Sequence, residues 1–208
     1  MSDDPVTPVL LTLRLRSFAS TEVVTARSGL DHEVVSTTLK ECQEAGWATY
    51  RDGRVSGWSL TGDGRRRGEE LLALELDATG TRARVESAYG RFLELNGELL
   101  SVCTDWQVVG ADGEQTVNDH SNADHDASVL ARLDRLHVDA LPITDDLGVT
   151  LHRFADYSSR LSGAHQRVVA GDHDWITRPT IDSYHTVWFE LHEDLLATLG
   201  RERAQEHP

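Results

Sequence analysis

The sequence predicts a mainly α protein with one small β element: a helical unit closed by a β-hairpin, then an all-α region. Three observations carry that expectation. Apolar residues recur at helical spacing, as Val35, Leu39 and Cys42 do. Asp52-Gly53 lies between two β-prone runs, a strong hairpin signal. With 208 residues and 39% hydrophobic side chains, the chain can bury a core in one or two domains.

The first region, residues 1–76, begins with an apolar stretch from Val9 to Leu15. Alternation at Leu11, Leu13 and Leu15 fits a strand, but the helices that follow favour a helix. Ser20 or Thr21 then caps a short helix, with Glu22 in its first turn, and Gly29 ends it. Asp31 starts a second helix that runs through Ala45 and ends at Gly46. The hairpin follows as Trp47–Arg51, Asp52-Gly53 and Arg54–Leu60. Thr61-Gly62-Asp63-Gly64 opens a helix reaching Leu76.

Residues 77–208 read as four or five longer helices around one polar loop. The first spans about residues 81–103, with Val85, Tyr89, Phe92, Leu95, Asn96, Leu99 and Leu100 facing inward. Residues 110–125, rich in Gly, Asp, Asn and His, form the loop. A helix over about 126–141 carries the stripe Val129, Leu130, Leu133 and Leu136. Pro142 and Thr144 separate it from a helical stretch over about 145–170, where Ser162-Gly163 marks a kink or break. Ser183 caps a last helix that ends at Gly200.

Charge divides the chain as clearly as pattern does. The net charge is −15, which excludes a uniformly basic nucleic-acid binder. Residues 77–208 hold 11 basic and 23 acidic side chains, a net −12. Residues 14–67 hold 9 basic and 7 acidic, a net +2, so a DNA-contacting face remains allowed there. No apolar run approaches a membrane span, and the start carries no positive secretory n-region. Cys42 and Cys103 make no zinc pattern and no disulfide framework. A cytoplasmic location is the expectation.

Helix, short helix, glycine turn, helix, hairpin, helix is the order of a helix-turn-helix with a β-wing. Residues 20–67 resemble bacterial winged-helix regulators. Val34–Trp47, VVSTTLKECQEAGW, resembles a recognition helix stepping into the wing. Gly57–Arg67, GWSLTGDGRRR, resembles the LT-x-x-G-R phrase that closes the wing in MarR-type regulators. The resemblance implies a DNA-binding homodimer.

A helix fits the major groove, and side chains on its outer face read base edges. With Val35, Leu39 and Cys42 inward, His32, Ser36, Thr37 and Lys40 are the outer candidates. Arg51 and Arg54 flank the hairpin tip, and Arg65 with Arg66 and Arg67 lies beside it, where phosphate contact is expected. Glu33, Glu41 and Glu44 on the same helix oppose phosphate. They keep open a second reading, a protein-interaction adaptor with a winged helix that does not bind DNA.

The second region would dimerise and sense a small-molecule effector, shifting the spacing of two recognition helices. Two of its phrases, Cys103–Gln107 and Ser183–Leu196, are similar to the C-terminal halves of poorly characterised actinobacterial regulators. Trp106, Tyr184, His185 and Trp188 are the effector-pocket candidates, set against the alternative that such aromatics form core or a dimer seam. Asp119-His120, Asp124-His125 and Asp172-His173-Asp174 are adjacent acid–imidazole pairs that invite a metal, but none is assigned, nor any cofactor. No phosphate-cradling glycine loop, nucleophile elbow or HExxH is present, so no enzyme activity is expected.

Overall fold

A computed structural model describes residues 4–110 and 115–202. These are mostly helical, with a small antiparallel sheet near the N-terminal end. The chain divides into two units: residues up to Arg82 with those from His192 on, and Ala83–Leu191. The boundary expected at 76/77 therefore moves. The fourth helix continues to Thr79, where Gly80 takes the left-handed conformation and stops it. Residues from His192 on join the first unit, where Ala197 packs with Leu11 and Leu72.

The first unit is built on α1 (Val6–Arg16), α2 (Thr21–Ser28), α3 (His32–Glu44), β1 (Ala48–Arg51), β2 (Gly57–Leu60) and α4 (Gly62–Thr79). α1 is the central rod: Val9, Leu10, Leu11, Thr12 and Leu13 are all buried. A helix enclosed on every side shows no amphipathic period, which is why its sequence fits a strand equally well. The Thr12 hydroxyl is satisfied by the Pro8 carbonyl at 2.8 Å. The Ser20 side chain caps α2, accepting from the Val23 N–H, whereas Asp31 precedes α3 without a side-chain cap bond.

β1 and β2 pair antiparallel with Arg51 opposite Gly57. The connection is thus five residues, 52–56, and Arg54 lies in the loop rather than in a strand as expected. Ser56 replaces the missing ladder. Its hydroxyl donates to Asp52 Oδ1 at 3.0 Å and accepts from the Gly53 N–H at 3.2 Å. A third short segment joins the hairpin where Ala19 and Trp58 exchange backbone hydrogen bonds of 3.0 and 2.8 Å. Gly57 permits that approach, since a Cβ there would stand 2.7 Å from the Phe18 ring and 2.9 Å from the Ala19 carbonyl oxygen.

The second unit contains α5 (Arg82–Gln107), a two-residue hairpin of β3 (Val108–Val109) and β4 (Thr116–Val117), α6 (Ala123–Thr150), α7 (Ala155–Val169), the short α8 (Asp174–Thr177) and α9 (Tyr184–Leu199), whose last half belongs to the first unit. Three expectations change here. The polar loop is shorter, because Asn122 caps α6 by accepting from the His125 N–H. Leu100 faces out, 51% exposed. Pro142 lies inside one uninterrupted α6. Proline removes a bond to the carbonyl of residue 138, but Val138 and Pro142 are both exposed, on the side of α6 that faces solvent, where that loss costs little.

The break comes instead at Leu151, whose extended backbone leads through a single 3-10 turn into α7. Gly148 makes the reversal tight: a Cβ there would lie 2.9 Å from Ala155 Cα. Ser162 and Gly163 do not interrupt α7.

Specific polar contacts tie the helices of this unit together. Arg132 of α6 donates to Glu98 (2.7 Å), Asp105 (2.5 Å) and Ser101 (2.8 Å) on α5. Asp146 of α6 accepts from Arg84 (2.8 Å) and Arg91 (2.7 Å) on α5. The bond from Arg84 chiefly holds the Asp146 carboxyl below the usual carboxylate range. Asp134 of α6 pairs with His165 of α7 at 2.7 Å, and Arg160 of α7 reaches Glu190 of α9.

His137 sits inside this frame, 7% exposed and stacked on His165 with centroids 4.1 Å apart. Its Nδ1 lies 3.3 Å from the Tyr184 hydroxyl. Burial, aided by the neighbouring His165 and opposed by Asp134, lowers its pKa to about 4. An unfolded imidazole titrates near ~6.5. His137 therefore contributes full stability above about pH 6.5, loses it as pH falls, and loses no more below about 4. We expect His137→Gln to flatten the fall in melting temperature between pH 7 and 4.5; an unchanged pH profile would contradict this.

Candidate functional site

α3 owes its orientation to Val35, Leu39 and Cys42, all fully buried, with Thr38 beside them at 2% exposure. Burial pushes the Cys42 thiol up to about 11, so it acts as a packed apolar group rather than a nucleophile. The opposite side of the helix carries exposed His32, Thr37 and Lys40, with half-buried Ser36 between them. The Ser36 hydroxyl lies 3.5 Å from His32 Nδ1, a contact within one helical turn.

The exit from α3 is set by a tight polar joint. Thr61 donates its hydroxyl to the Gly46 carbonyl at 2.7 Å and accepts from the Gly64 N–H at 3.0 Å. One side chain thus closes the hairpin and caps α4 together. Trp58 of β2 donates from Nε1 to the Thr21 hydroxyl at 3.1 Å, fixing the hairpin to the start of α2.

The basic candidates divide by what already holds them. Arg66 pairs with Asp63, and Arg67 pairs with Glu70 at 3.2 Å while its guanidinium lies 5.4 Å from the Trp47 ring centroid. Lys40, Arg51, Arg54 and Arg65 are exposed and make no ion pair among the described residues. Arg51 lies over the Phe18 ring at 5.8 Å, a contact that steadies its stem and leaves its charge available. Glu33, Glu41 and Glu44 are exposed on α3, as expected.

Of the four aromatic and imidazole candidates of the second unit, Tyr184 and Trp188 stack with ring centroids 6.3 Å apart, and the four do not line one pocket together. Tyr184 is fully buried, and burial raises its phenol well above the usual range. Trp188, 3% exposed, stacks on Phe92 at 4.5 Å and donates to Asn96 Oδ1 at 3.0 Å. His185 is half-buried, which lowers its pKa. These three are core or its edge. Of the four, Trp106 is the one on a groove of about 610 Å3 that it lines with Gln107, His120, His173, Thr177 and Arg178.

The signal for this groove was visible as the acid–imidazole pairs, but adjacency misassigned the partners. His120 pairs with Asp126 at 3.0 Å, not with Asp119, whose carboxylate accepts from the Ser121 N–H at 3.0 Å. His125 bonds the Asp105 backbone carbonyl at 2.8 Å, and Asp174 pairs with Arg178 at 2.6 Å. Among the described residues, no group of three or more His, Cys, Asp or Glu side chains could hold a metal ion. No described helix is long and apolar enough to cross a membrane.

No family model, curated protein or solved structure matches this chain.

Proposed function

We propose that the first unit is a winged-helix module that binds duplex DNA, and that the protein is a homodimeric transcriptional regulator. One observation carries the reading. An apolar stripe of three fully buried side chains turns His32, Ser36, Thr37 and Lys40 outward on α3, and a hairpin loop with unpaired Arg54 follows it in the chain. A helix of this kind enters the major groove, and the hairpin grips the backbone beside it. Lys40, Arg51, Arg54 and Arg65 supply phosphate contacts because no neighbouring carboxylate neutralises them. Ser36 and Thr37 offer hydroxyls to base edges or phosphates.

The module has few free cations and three exposed carboxylates on α3. Its affinity per monomer is accordingly modest, and a dimer gains by placing two modules on one site. Those carboxylates also favour the second reading, an adaptor that uses the same face to hold a basic protein partner.

A mobility shift with genomic fragments flanking the chain's own gene separates the two. The regulator reading expects retardation at low salt. It also expects Lys40→Ala, Arg54→Ala and Arg65→Ala each to weaken binding about three- to tenfold, with melting temperature nearly unchanged because all three side chains are exposed. No retardation of any fragment favours the adaptor.

A further inference from the structure

The geometry points to the groove of the second unit as a binding site for a small planar aromatic carboxylate. This deepens the regulator reading by naming the class of effector the protein would sense, and rests on that reading for its biological purpose.

The groove is held in shape before any ligand arrives. Asn118, 6% exposed, donates from Nδ2 to the Trp106 carbonyl and to Asp126 Oδ1, both at 3.1 Å. Its Oδ1 accepts from the His120 N–H at 3.0 Å. These three bonds hold His120 at φ 58°, a left-handed backbone that glycine adopts more readily than histidine. The conformation sets the His120 ring 4.4 Å from that of Trp106, and the His173 ring stands edge-on to the same indole at 5.0 Å. Three aromatic rings in a row thus line a groove about 610 Å3 in volume, within the ordinary size range of small-molecule sites.

The polar groups along it favour an acceptor-rich, negatively charged guest. Of the two acids that line the groove, Asp126 is engaged through both oxygens, by Asn118 and His120, and Asp174 is held through Oδ2 by Arg178. Among the described residues, the His173 imidazole, the Gln107 amide, the Thr177 hydroxyl and Arg178 Nη2 make no hydrogen bond. Arg178 Nη2 is a fixed donor with no acceptor where a ligand would sit, so a carboxylate takes a charge-assisted bond there, beside His173, Gln107 and Thr177, each of which can donate to it. Exposed His120 and half-buried His173 offer their rings to a flat partner, and Trp106, 6% exposed, backs them.

Isothermal titration of the full-length protein at pH 7 with 1-naphthoate, 1-naphthamide and 1-naphthylmethylamine tests this, because the three differ chiefly in charge. The expected result is one site for naphthoate, at least tenfold tighter than the amide, and no binding of the amine. Arg178→Gln and His173→Gln change exposed or half-buried side chains. Each should weaken naphthoate about tenfold and leave the melting temperature unchanged. Amide binding equal to naphthoate, preference for the amine, no heat from naphthoate, or unaltered affinity in both variants would overturn the inference. DNA affinity of the unliganded chain, measured alongside, keeps the two failures apart. A silent groove with intact DNA binding removes this inference alone, and a working groove without DNA binding removes the regulator reading alone.

Discussion

Gly64→Ala should unfold the first unit at markedly lower temperature, although alanine is the better helix former. Gly64 is in the first turn of α4, where its Cα faces the backbone leaving α3. A Cβ added there would stand 1.9 Å from the Trp47 carbonyl oxygen and 2.7 Å from the Trp47 carbonyl carbon. Overlap with backbone cannot be relieved by turning a side chain. The Trp47 carbonyl also accepts the Thr61 N–H at 3.0 Å, so moving it breaks the joint that closes the hairpin.

Alanine gains about 1 kcal/mol of helix propensity over glycine. Overpacking against a fixed backbone costs more than about 3 kcal/mol. The clash wins, and a fall of roughly 10 °C or more in the melting of this unit is expected. Gly62 supplies the control. It lies two residues earlier in the same turn with nothing within 4 Å of its added Cβ, so Gly62→Ala should be neutral or mildly stabilising. Equal melting of the two variants would show that the α3–hairpin–α4 joint is not packed as described.

The second large effect lies in the other unit. Arg160→Met should destabilise it by about 3–5 kcal/mol, because it takes the facing positive charge away from a buried carboxylate. The Glu190 side chain is 5% exposed and that of Arg160 15%. Arg160 also reaches Asp182 at 3.3 Å and lies 5.4 Å from the Tyr157 ring. Burial works against the Arg160 charge, but Glu190 and then Asp182 outweigh it, and its pKa is raised. Methionine keeps the stem's packing and removes the charge, so the loss is electrostatic. Glu190→Gln in the Arg160→Met background should recover a large part of the stability. Urea unfolding of the two single variants and the double variant measures this. Additive losses would mean that the two side chains do not depend on each other.

The parts of this fold that sequence reading reached are those with a local cause. Ser20, Thr61 and Ser183 act at helix starts through bonds to residues three positions away, and Gly29 ends α2 by taking the left-handed conformation. The Val35–Leu39–Cys42 stripe needs only helical period. Asp52-Gly53 announces a turn, yet the loop's length depends on Ser56 bonding back across it, which no dipeptide rule contains.

Pro142 failed as a breaker because whether a lost hydrogen bond matters depends on which side of α6 meets water. The outer face of α3 was legible because it is the complement of a buried stripe. The groove was not, because its partners are set by tertiary placement. His120 finds Asp126 through the buried Asn118, while the neighbouring Asp119 turns to its own backbone. Tyr184 and Trp188 show the same limit: helical spacing put them on one face, and only the surrounding helices made that face core.

Everything proposed for the first unit turns on whether its free cations meet phosphate. The direct measurement is fluorescence anisotropy of a labelled duplex, titrated with the intact chain and with a Lys40→Ala, Arg54→Ala, Arg65→Ala triple variant from about 50 to 200 mM salt. Each phosphate contact contributes about one unit to the slope of log affinity against log salt. The account predicts binding by the intact chain that weakens with salt, and a triple variant whose slope is shallower by about three per module. Identical slopes for the two proteins, or no binding at the lowest salt, would contradict it.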